Sequence, residues 1–197
     1  VAESARQMEQ AAFSLSQGLA KAQVNLAGTV RLTASTTVAT YLLPELLAQM
    51  REVLPDIQIE VVSSNAVSNL LRREADIALR MVPPKQSSLI ARRVGAVGLG
   101  AYAHKRYVQR HGVPLEPMDL LKHTVIGHDQ DDILIRGFSH FGLNLTPEFF
   151  PVRCDDFVAY WHLVRAGLGI GFVADYVART DSEVVAVLPQ LVIPPLP

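Results

Sequence analysis

Between residues 29 and 82 the hydrophobic pattern switches repeatedly between two periods, and this switching constrains the fold more than any single motif. Three alternating, β-branched segments predict strands: 29–35, 56–64 and 76–82. Two segments between them predict helices: 36–55 and 65–75, the second opened by Asn65. The order strand–helix–strand–helix–strand in about 55 residues predicts a parallel α/β unit with right-handed crossovers.

A second α/β unit is predicted in the C-terminal half of the chain. A long extended segment at 89–104 leads into it. Helices are predicted at 105–112, 118–123, 133–143 and 155–167, and strands at 124–128, 148–154 and 170–178. The closing segment 182–197 is rich in proline and is therefore not expected to be helical. The predicted fold class is α/β.

The first 27 residues form a separate segment that is rich in strong helix formers. Its apolar side chains recur at helical spacing along one narrow stripe: Met8, Ala11, Ala12, Leu15, Leu19, Ala22 and Leu26. The predicted helix packs either on its own domain or against a partner, and the stripe leaves both alternatives open. Gly28 is the expected stop signal.

The charge balance argues against a nucleic-acid-binding surface on these residues. The chain carries 18 basic and 19 acidic residues, for a net charge of −1. The single cysteine, Cys154, cannot form an internal disulfide, which fits a reducing cytoplasm. No apolar run reaches the roughly 18 residues that cross a bilayer, so no membrane partner is expected. The opening valine predicts a fragment or a processed chain.

The segment RAGLGIGFV, residues 165–173, has glycine at every second position, as a phosphate-binding loop can. In a dinucleotide-binding motif, however, the glycines follow a strand and open a helix. Here they follow a predicted helix, so Gly167 is expected to end it. Gly169 is then expected in the turn and Gly171 in the next strand. The sequence therefore predicts no phosphate loop.

Neither a metal site nor a catalytic site is predicted. One cysteine cannot supply paired thiolate ligands for zinc. The densest group of potential ligands contains two histidines and three aspartates: His123, His128, Asp129, Asp131 and Asp132. Their spacing does not match a calcium-binding loop, so a solvated loop is the preferred interpretation. Ser139 precedes a histidine but lacks the strand–turn–helix elbow of a hydrolase nucleophile. No cofactor and no enzymatic activity are expected.

Three hydroxyl residues, Ser35, Thr36 and Thr37, lie where the first predicted strand gives way to a helix. This is the carboxyl edge of a parallel sheet, where open α/β folds bind ligands. Helix N–H groups and hydroxyl donors there favour an anion such as a carboxylate, and the alternative is plain capping of the helix. Further polar turns fall on the same kind of edge: Ser64–Asn65, His128–Asp129 and Asp155–Asp156. Two lobes with facing polar edges make a cleft.

Five segments together resemble the effector-binding part of LysR-type transcriptional regulators. They are GTVRLTAS at 28–35, LLPELLAQMREVLPDIQIEVV at 42–62, LLRREADIALRMV at 70–82, ARRVGAVGLGAYAHKRYVQRHGVP at 91–114 and LVRAGLGIGFVADYV at 163–177. The resemblance covers nearly all of residues 28–190. It implies two Rossmann-like lobes of the type II periplasmic-binding-protein kind, joined by crossing strands. It divides the chain into a linker and dimerisation helix at 1–27, a first lobe at 28–97 and a second lobe at 98–197.

The resemblance also implies a function. A small-molecule effector binds in the cleft, and its arrival is passed to a winged helix-turn-helix DNA-binding domain. The implied protein is a bacterial, cytoplasmic homodimer or tetramer. The implied effector contacts are Ser35, Thr36, Thr37, Asn65, Ala66, Arg80, His128, Asp129, Asp156 and Phe157.

Three of these positions bear on the kind of ligand. Ala66 lacks the hydroxyl that some members carry in the second turn, which argues against a muconate-like ligand. Arg80 either pairs with a ligand carboxylate or ends its strand in solvent. The acidic groups of the second lobe, such as Asp156, would repel a dianion and suit a ligand that donates hydrogen bonds.

An extracytoplasmic solute-binding protein for a small polar metabolite is the alternative on the same bilobal scaffold. The leading amphipathic helix favours the regulator, because a transport receptor has no need of it. The sequence departs from the family pattern at both ends: it has no DNA-binding domain, and it lacks the return strand and final helix expected after Pro197. The chain is therefore not expected to read an operator alone.

Overall fold

The structure of the protein is a computed structural model that describes residues 27–65, 75–82 and 90–194. The stripe of the predicted linker helix lies outside the described residues. So do Ala66 and nearly all of the helix predicted at 65–75. The described residues form two lobes, the first built on strands β1 to β3 and the second on strands β4 to β8.

The first lobe contains a parallel sheet with the strand order β2-β1-β3. Its strands are β1 (Gly28–Ala34), β2 (Ile57–Ser63) and β3 (Ile77–Leu79). The register pairs Gly28 with Ile57 and Leu32 with Ile77. All three strands and their parallel order agree with the sequence prediction, because β-branched alternation is a local signal.

The long helix predicted at 36–55 is divided into α1 (Thr36–Tyr41) and α2 (Leu43–Val53). Pro44 falls in the first turn of α2, where its missing N–H costs nothing, but it would break a continuous helix. The chain therefore bends at Leu42, whose N–H donates to the carbonyl of Val38 at 3.0 Å. The buried core of this lobe is Ala34, Val38 and Leu43.

The second lobe has a mixed sheet. Strand β4 (Leu99–His104) is flanked by β7 (Gly171–Ala174) and β8 (Val184–Val187), both antiparallel to it. Strands β5 (Ile126–Gly127) and β6 (Val152–Arg153) are parallel, and a parallel bridge between Val125 and Ile170 joins them to β7. Strand β8 lies in the segment for which proline content predicted only the absence of helix. It ends before Pro189.

Four helices complete the second lobe: α3 (Lys105–His111), α4 (Ile133–Ser139), α5 (Phe157–Arg165) and α6 (Asp175–Ala178). The helix predicted at 118–123 is the 3₁₀ helix Pro117–Lys122. The strand predicted at 148–154 is wrong in its first half, where Pro147–Phe149 form a 3₁₀ turn. A proline at the start of that turn presets its φ angle, and pairing begins only after Pro151.

Helix α5 is anchored to the sheet by Tyr160, which is fully buried. Its hydroxyl donates to the carbonyl of Ile126 at 2.8 Å and accepts from the N–H of Phe172 at 3.0 Å. Burial raises the pKa of this phenol well above its usual range, so it stays a donor. Tyr160 therefore joins α5 to both β5 and β7. These two bonds hold the start of α5 beside the turn that follows β5.

The glycine run ends α5, as predicted. Gly167 has φ +74° and its N–H donates to the carbonyl of Val164 at 2.9 Å, while Leu168 donates to Leu163 at 3.2 Å. These two bonds form a Schellman motif, in which glycine avoids the penalty of a left-handed conformation. Gly171 lies in β7, where a Cβ atom would come within 2.4 Å of the Val164 side chain. The run therefore has a packing role and forms no phosphate loop.

The two lobes touch through α1. This helix lies against α5 and α6, and the Tyr41 ring packs on the second-lobe cluster that contains Trp161. The Tyr41 hydroxyl is buried without a hydrogen-bond partner among the described residues, and burial raises the pKa of this phenol. None of the helices that the structure describes is long and apolar enough to cross a membrane.

Candidate functional site

The turn from β1 into α1 carries the three predicted hydroxyl residues. Ser35 has an extended backbone and precedes the helix, but its side chain makes no capping hydrogen bond. The cap comes from Asn65, whose Oδ1 accepts from the N–H of Thr36 at 3.0 Å. The hydroxyls of Ser35, Thr36 and Thr37 thus make no hydrogen bond within the part of the chain that the structure describes. Plain capping by the hydroxyls, the alternative interpretation of this turn, is wrong because the amide of a neighbouring strand end takes that place.

Arg80 ties the ends of the three first-lobe strands together. Its Nη1 donates to the carbonyl of Ser64 at 2.6 Å and its Nη2 donates to Oγ1 of Thr33 at 2.9 Å. Burial lowers the pKa of the guanidinium, and its Nε is buried without a partner among the described residues. Arg80 is therefore not a solvated strand end. It places a positive charge at the carboxyl edge of the sheet, bound only to neutral oxygens.

In the second lobe, His128 follows β5 and is 7% exposed. Its Nδ1 lies 2.9 Å from the carbonyl oxygen of Cys154. A carbonyl oxygen can only accept, so Nδ1 donates. The ring stacks on Tyr160 with centroids 5.0 Å apart and lies 5.2 Å from the Phe157 ring. Both the backbone contact and the aromatic neighbours fix the direction of the imidazole.

The aspartates around this turn are largely engaged by the protein. Oδ1 of Asp156 accepts from the N–H groups of Val158 and Ala159 at 2.9 and 2.8 Å, so Asp156 caps α5. Oδ1 of Asp129 lies 3.4 Å from Nε of Arg153. The predicted effector contacts Asp129 and Asp156 thus have defined structural partners.

A depression of about 420 Å³ opens beside His128 and Phe157. Its lining residues are His128, Gln130, Asp131, Asp132, Asp155 and Phe157. It brings together two of the predicted effector contacts. The first-lobe residues, Asp129 and Asp156 are not among its lining residues.

Four of the lining residues were not predicted as effector contacts from the sequence: Gln130, Asp131, Asp132 and Asp155. The available signal was their position, because they occupy the same turns after β5 and before α5 as the predicted contacts. The sequence could not tell which side chains of these turns face a common space.

A second depression, of about 340 Å³, lies in the first lobe between α2 and β2. It is lined by Leu47, Arg51, Ile57, Gln58, Ile59 and Val61. None of the predicted effector contacts belongs to it. Within the described residues, no group of three or more histidine, cysteine or acidic side chains is arranged to hold a metal ion.

Comparison with known families gives one match that spans most of the chain. The family described as LysR substrate binding domain matches residues 24–197. Among curated proteins, the HTH-type transcriptional activator AaeR of Escherichia coli K12 is 28% identical over 154 residues, which cover 74% of this chain and 48% of that protein. The HTH-type transcriptional regulator CrgA of Neisseria meningitidis serogroup C is 28% identical over 168 residues, covering 83% and 55%. The chain spans about half the length of the curated relatives it matches.

Solved structures show the same fold. The regulatory domain of CrgA from Neisseria meningitidis superposes with a TM-score of 0.71 at 23% identity, covering 87% of this chain and 86% of that one. The cofactor-binding domain of the Cbl transcriptional regulator superposes with a TM-score of 0.67 at 21% identity, covering 84% and 76%. At these identities the likeness shows the fold alone, and it confirms the predicted two-lobed α/β class.

Proposed function

Because the chain belongs to the LysR substrate-binding domain family, we propose that it is the effector-sensing part of a LysR-type transcriptional regulator. In this proposal a small-molecule inducer binds between the first lobe, residues 28–97, and the second lobe, residues 98–197. Residues 1–27 act as the linker and dimerisation helix. A winged helix-turn-helix domain outside this sequence binds DNA.

The observation that carries the proposal is that the side chains of the hydroxyl turn, Ser35, Thr36 and Thr37, do not cap α1 themselves. Since Asn65 caps α1, the hydroxyls of Ser35, Thr36 and Thr37 remain available to a ligand. These residues lie at the carboxyl edge of the parallel sheet, and the guanidinium of Arg80 lies at the same edge. These hydroxyls are half-buried and can therefore be reached by a ligand at the strand edge, which supports a binding role.

The contact between the lobes supports a route for the signal. Helix α1 begins at the hydroxyl turn and ends at Tyr41, which packs against α5. A ligand that binds this turn and the second lobe together favours one angle between the lobes. It can do so only by its differential affinity for the two arrangements.

The proposal extends to partners and location. We place the whole protein in the bacterial cytoplasm as a homodimer or tetramer that reaches DNA through its separate domain. It has no enzymatic activity in this proposal, in keeping with curated relatives that are transcriptional regulators. Those relatives also favour a regulator over an extracytoplasmic solute-binding protein.

The proposal is tested by a thermal-shift screen of carboxylates, amines and neutral metabolites, followed by titration of the best ligand. The double variant Ser35→Ala/Thr37→Val should weaken its binding at least about fivefold, since each neutral hydrogen bond that is lost contributes about 1 kcal/mol. The ligand should also slow hydrogen exchange in α1 and α5 together.

Ser182→Ala is the matched control, because this exposed hydroxyl makes no hydrogen bond among the described residues and lies in the turn before β8. The control should bind as the parent chain does. The interlobe site would be excluded if the double variant bound the ligand as tightly as the parent chain and if binding left hydrogen exchange in α1 unchanged.

A further inference from the structure

The depression of the second lobe is lined by a histidine that has one ring nitrogen without a hydrogen-bond partner among the described residues. His128 is 7% exposed, and its Nδ1 is taken by the carbonyl of Cys154. Its other described contacts are with the Phe157 and Tyr160 rings, so Nε2 makes no hydrogen bond within the part of the chain that the structure describes. With the proton on Nδ1, a neutral imidazole offers Nε2 as an acceptor. Because His128 lines the depression, Nε2 is open to a donor from outside the protein.

Three backbone N–H groups of the surrounding loop donate to carboxylates of the protein itself. The N–H groups of Asp129 and Gln130 donate to the Asp155 carboxylate at 2.9 and 3.2 Å. The N–H of Ile133 donates to Oδ1 of Asp131 at 2.9 Å. Among the lining side chains, Gln130 offers a donor to an anionic ligand, whereas the three carboxylates offer acceptors.

The charge around the depression is negative. Three of its lining side chains are carboxylates, Asp131, Asp132 and Asp155. The nearby cations are committed to acids: Arg136 pairs with Asp132 and lies 4.0 Å from Asp131, and Arg153 pairs with Asp129. No lining residue is positively charged. Carboxylates that outnumber the adjacent cations favour a cation and repel an anion.

One apolar surface completes the site. Phe157 is 45% exposed and its ring lies 5.2 Å from the His128 ring. An exposed aromatic face beside carboxylates suits the apolar body of a ligand or the face-on approach of an ammonium group. The volume of about 420 Å³ falls in the range of small-molecule sites.

We infer that the depression binds the protonated amine of a small effector, which donates to His128 Nε2 and the carboxylates while its apolar body rests on Phe157. This inference rests on the proposed effector-sensing function and names the class of molecule sensed. The effector is then an amine, and the hydroxyl turn of the first lobe contacts its other end. A simple carboxylic acid is excluded as the group held in the second lobe.

The test compares three probes that share one phenethyl body: phenethylamine, 2-phenylethanol and 3-phenylpropanoate. Each is titrated calorimetrically into the whole chain at millimolar concentrations. The amine should bind about tenfold or more tightly than either of the others, because hydrogen bonds to charged groups contribute more than neutral ones.

Two variants locate the binding. Asp131→Asn removes a charge but keeps an oxygen for the Ile133 N–H, and His128→Asn keeps a donor near the Nδ1 position while removing Nε2. Each should weaken amine binding at least about fivefold. Asp56→Asn is the matched control in the exposed turn between α2 and β2, and it should bind as the parent does. Unchanged melting temperatures without ligand show that the variants fold.

Three results would overturn the inference: equal or tighter binding of 3-phenylpropanoate, no binding of the amine, or amine binding that both site variants leave unchanged. If 3-phenylpropanoate binds more tightly than the amine and the Ser35→Ala/Thr37→Val variant weakens that binding, the amine assignment is wrong. The proposed effector site between the lobes would still be supported. The two proposals therefore fail on different measurements.

Discussion

At the scale of single residues, the first lobe depends on an exchange of roles between side chains far apart in the chain. Asn65 is placed by the sequence at the start of the next helix, yet its Oδ1 accepts from Thr36, 29 positions earlier. Ser35, the residue with the usual capping position and chemistry, makes no capping bond. A remote amide thus supplies the cap, and the local hydroxyls stay available.

The first prediction concerns this remote cap. Asn65→Ala should lower the free energy of unfolding by about 1 kcal/mol, because the Thr36 N–H loses its acceptor. Urea denaturation measures the loss. Asn144→Ala changes another exposed asparagine that makes no described hydrogen bond, and it should leave stability within about 0.5 kcal/mol of the parent. Equal effects of the two variants would mean that the Asn65 cap contributes nothing.

At the scale of elements, helix ends decide where the site residues lie. Pro44 bends the first helix, so Tyr41 ends α1 against α5. At the C-terminal end of α5, Gly167 adopts a left-handed conformation that ends the helix, and the chain then enters β7. Tyr160 then holds α5 on β5, which places Phe157 beside His128.

The second prediction compares two glycines that have room for a Cβ atom, Gly167 after α5 and Gly137 within α4, which differ in backbone conformation. Gly167→Ala should destabilise the chain by about 1 kcal/mol, because φ +74° disfavours any side chain even though no atom lies closer than 3.8 Å to the new Cβ. Gly137→Ala, at an exposed position of α4 with open space around the new Cβ, should stabilise by about 0.5–1 kcal/mol. Thermal and urea unfolding check both signs. Stabilisation by Gly167→Ala would contradict the Schellman assignment.

At the scale of the whole molecule, one aromatic side chain of the first lobe packs against the core of the second lobe. Tyr41 belongs to the first lobe but packs in the second-lobe cluster around Tyr160 and Trp161. Its buried hydroxyl has no partner among the described residues, so the ring supplies the contact and the hydroxyl adds no described bond. The relative position of the lobes should therefore depend on the ring.

The third prediction follows from that contact. Tyr41→Ala should increase hydrogen exchange in α5, Phe157–Arg165, and broaden the range of lobe angles seen by small-angle scattering. Tyr41→Phe is the matched control. It keeps the ring and removes only the unpartnered hydroxyl, so exchange should match the parent. If the alanine variant leaves α5 exchange unchanged, other contacts hold the lobes together.

The strands of the first lobe, the helix α5 and the helix stop at Gly167 could all be predicted from the sequence. Each depends on neighbours within a few positions: alternation in β1, apolar spacing in α5, and glycine at a helix end. The resemblance carried by these segments predicted the two-lobed class, which the family match and the superposed structures confirm. The strand predicted at 148–154 forms only at Val152–Arg153, because Pro147 favours a turn over pairing.

Tertiary structure alone decided which polar groups remain available for binding. Arg80 donates to Thr33, His128 donates to Cys154, and Asn65 caps Thr36, and all three bonds join residues from 26 to 47 positions apart. A hydrogen bond depends on direction and on a distance of about 3 Å, which local periodicity does not encode. Residue types and their order thus determine the lobes and the edges where polar groups gather. Which atoms those edges leave unpaired depends on how distant strand ends meet in space.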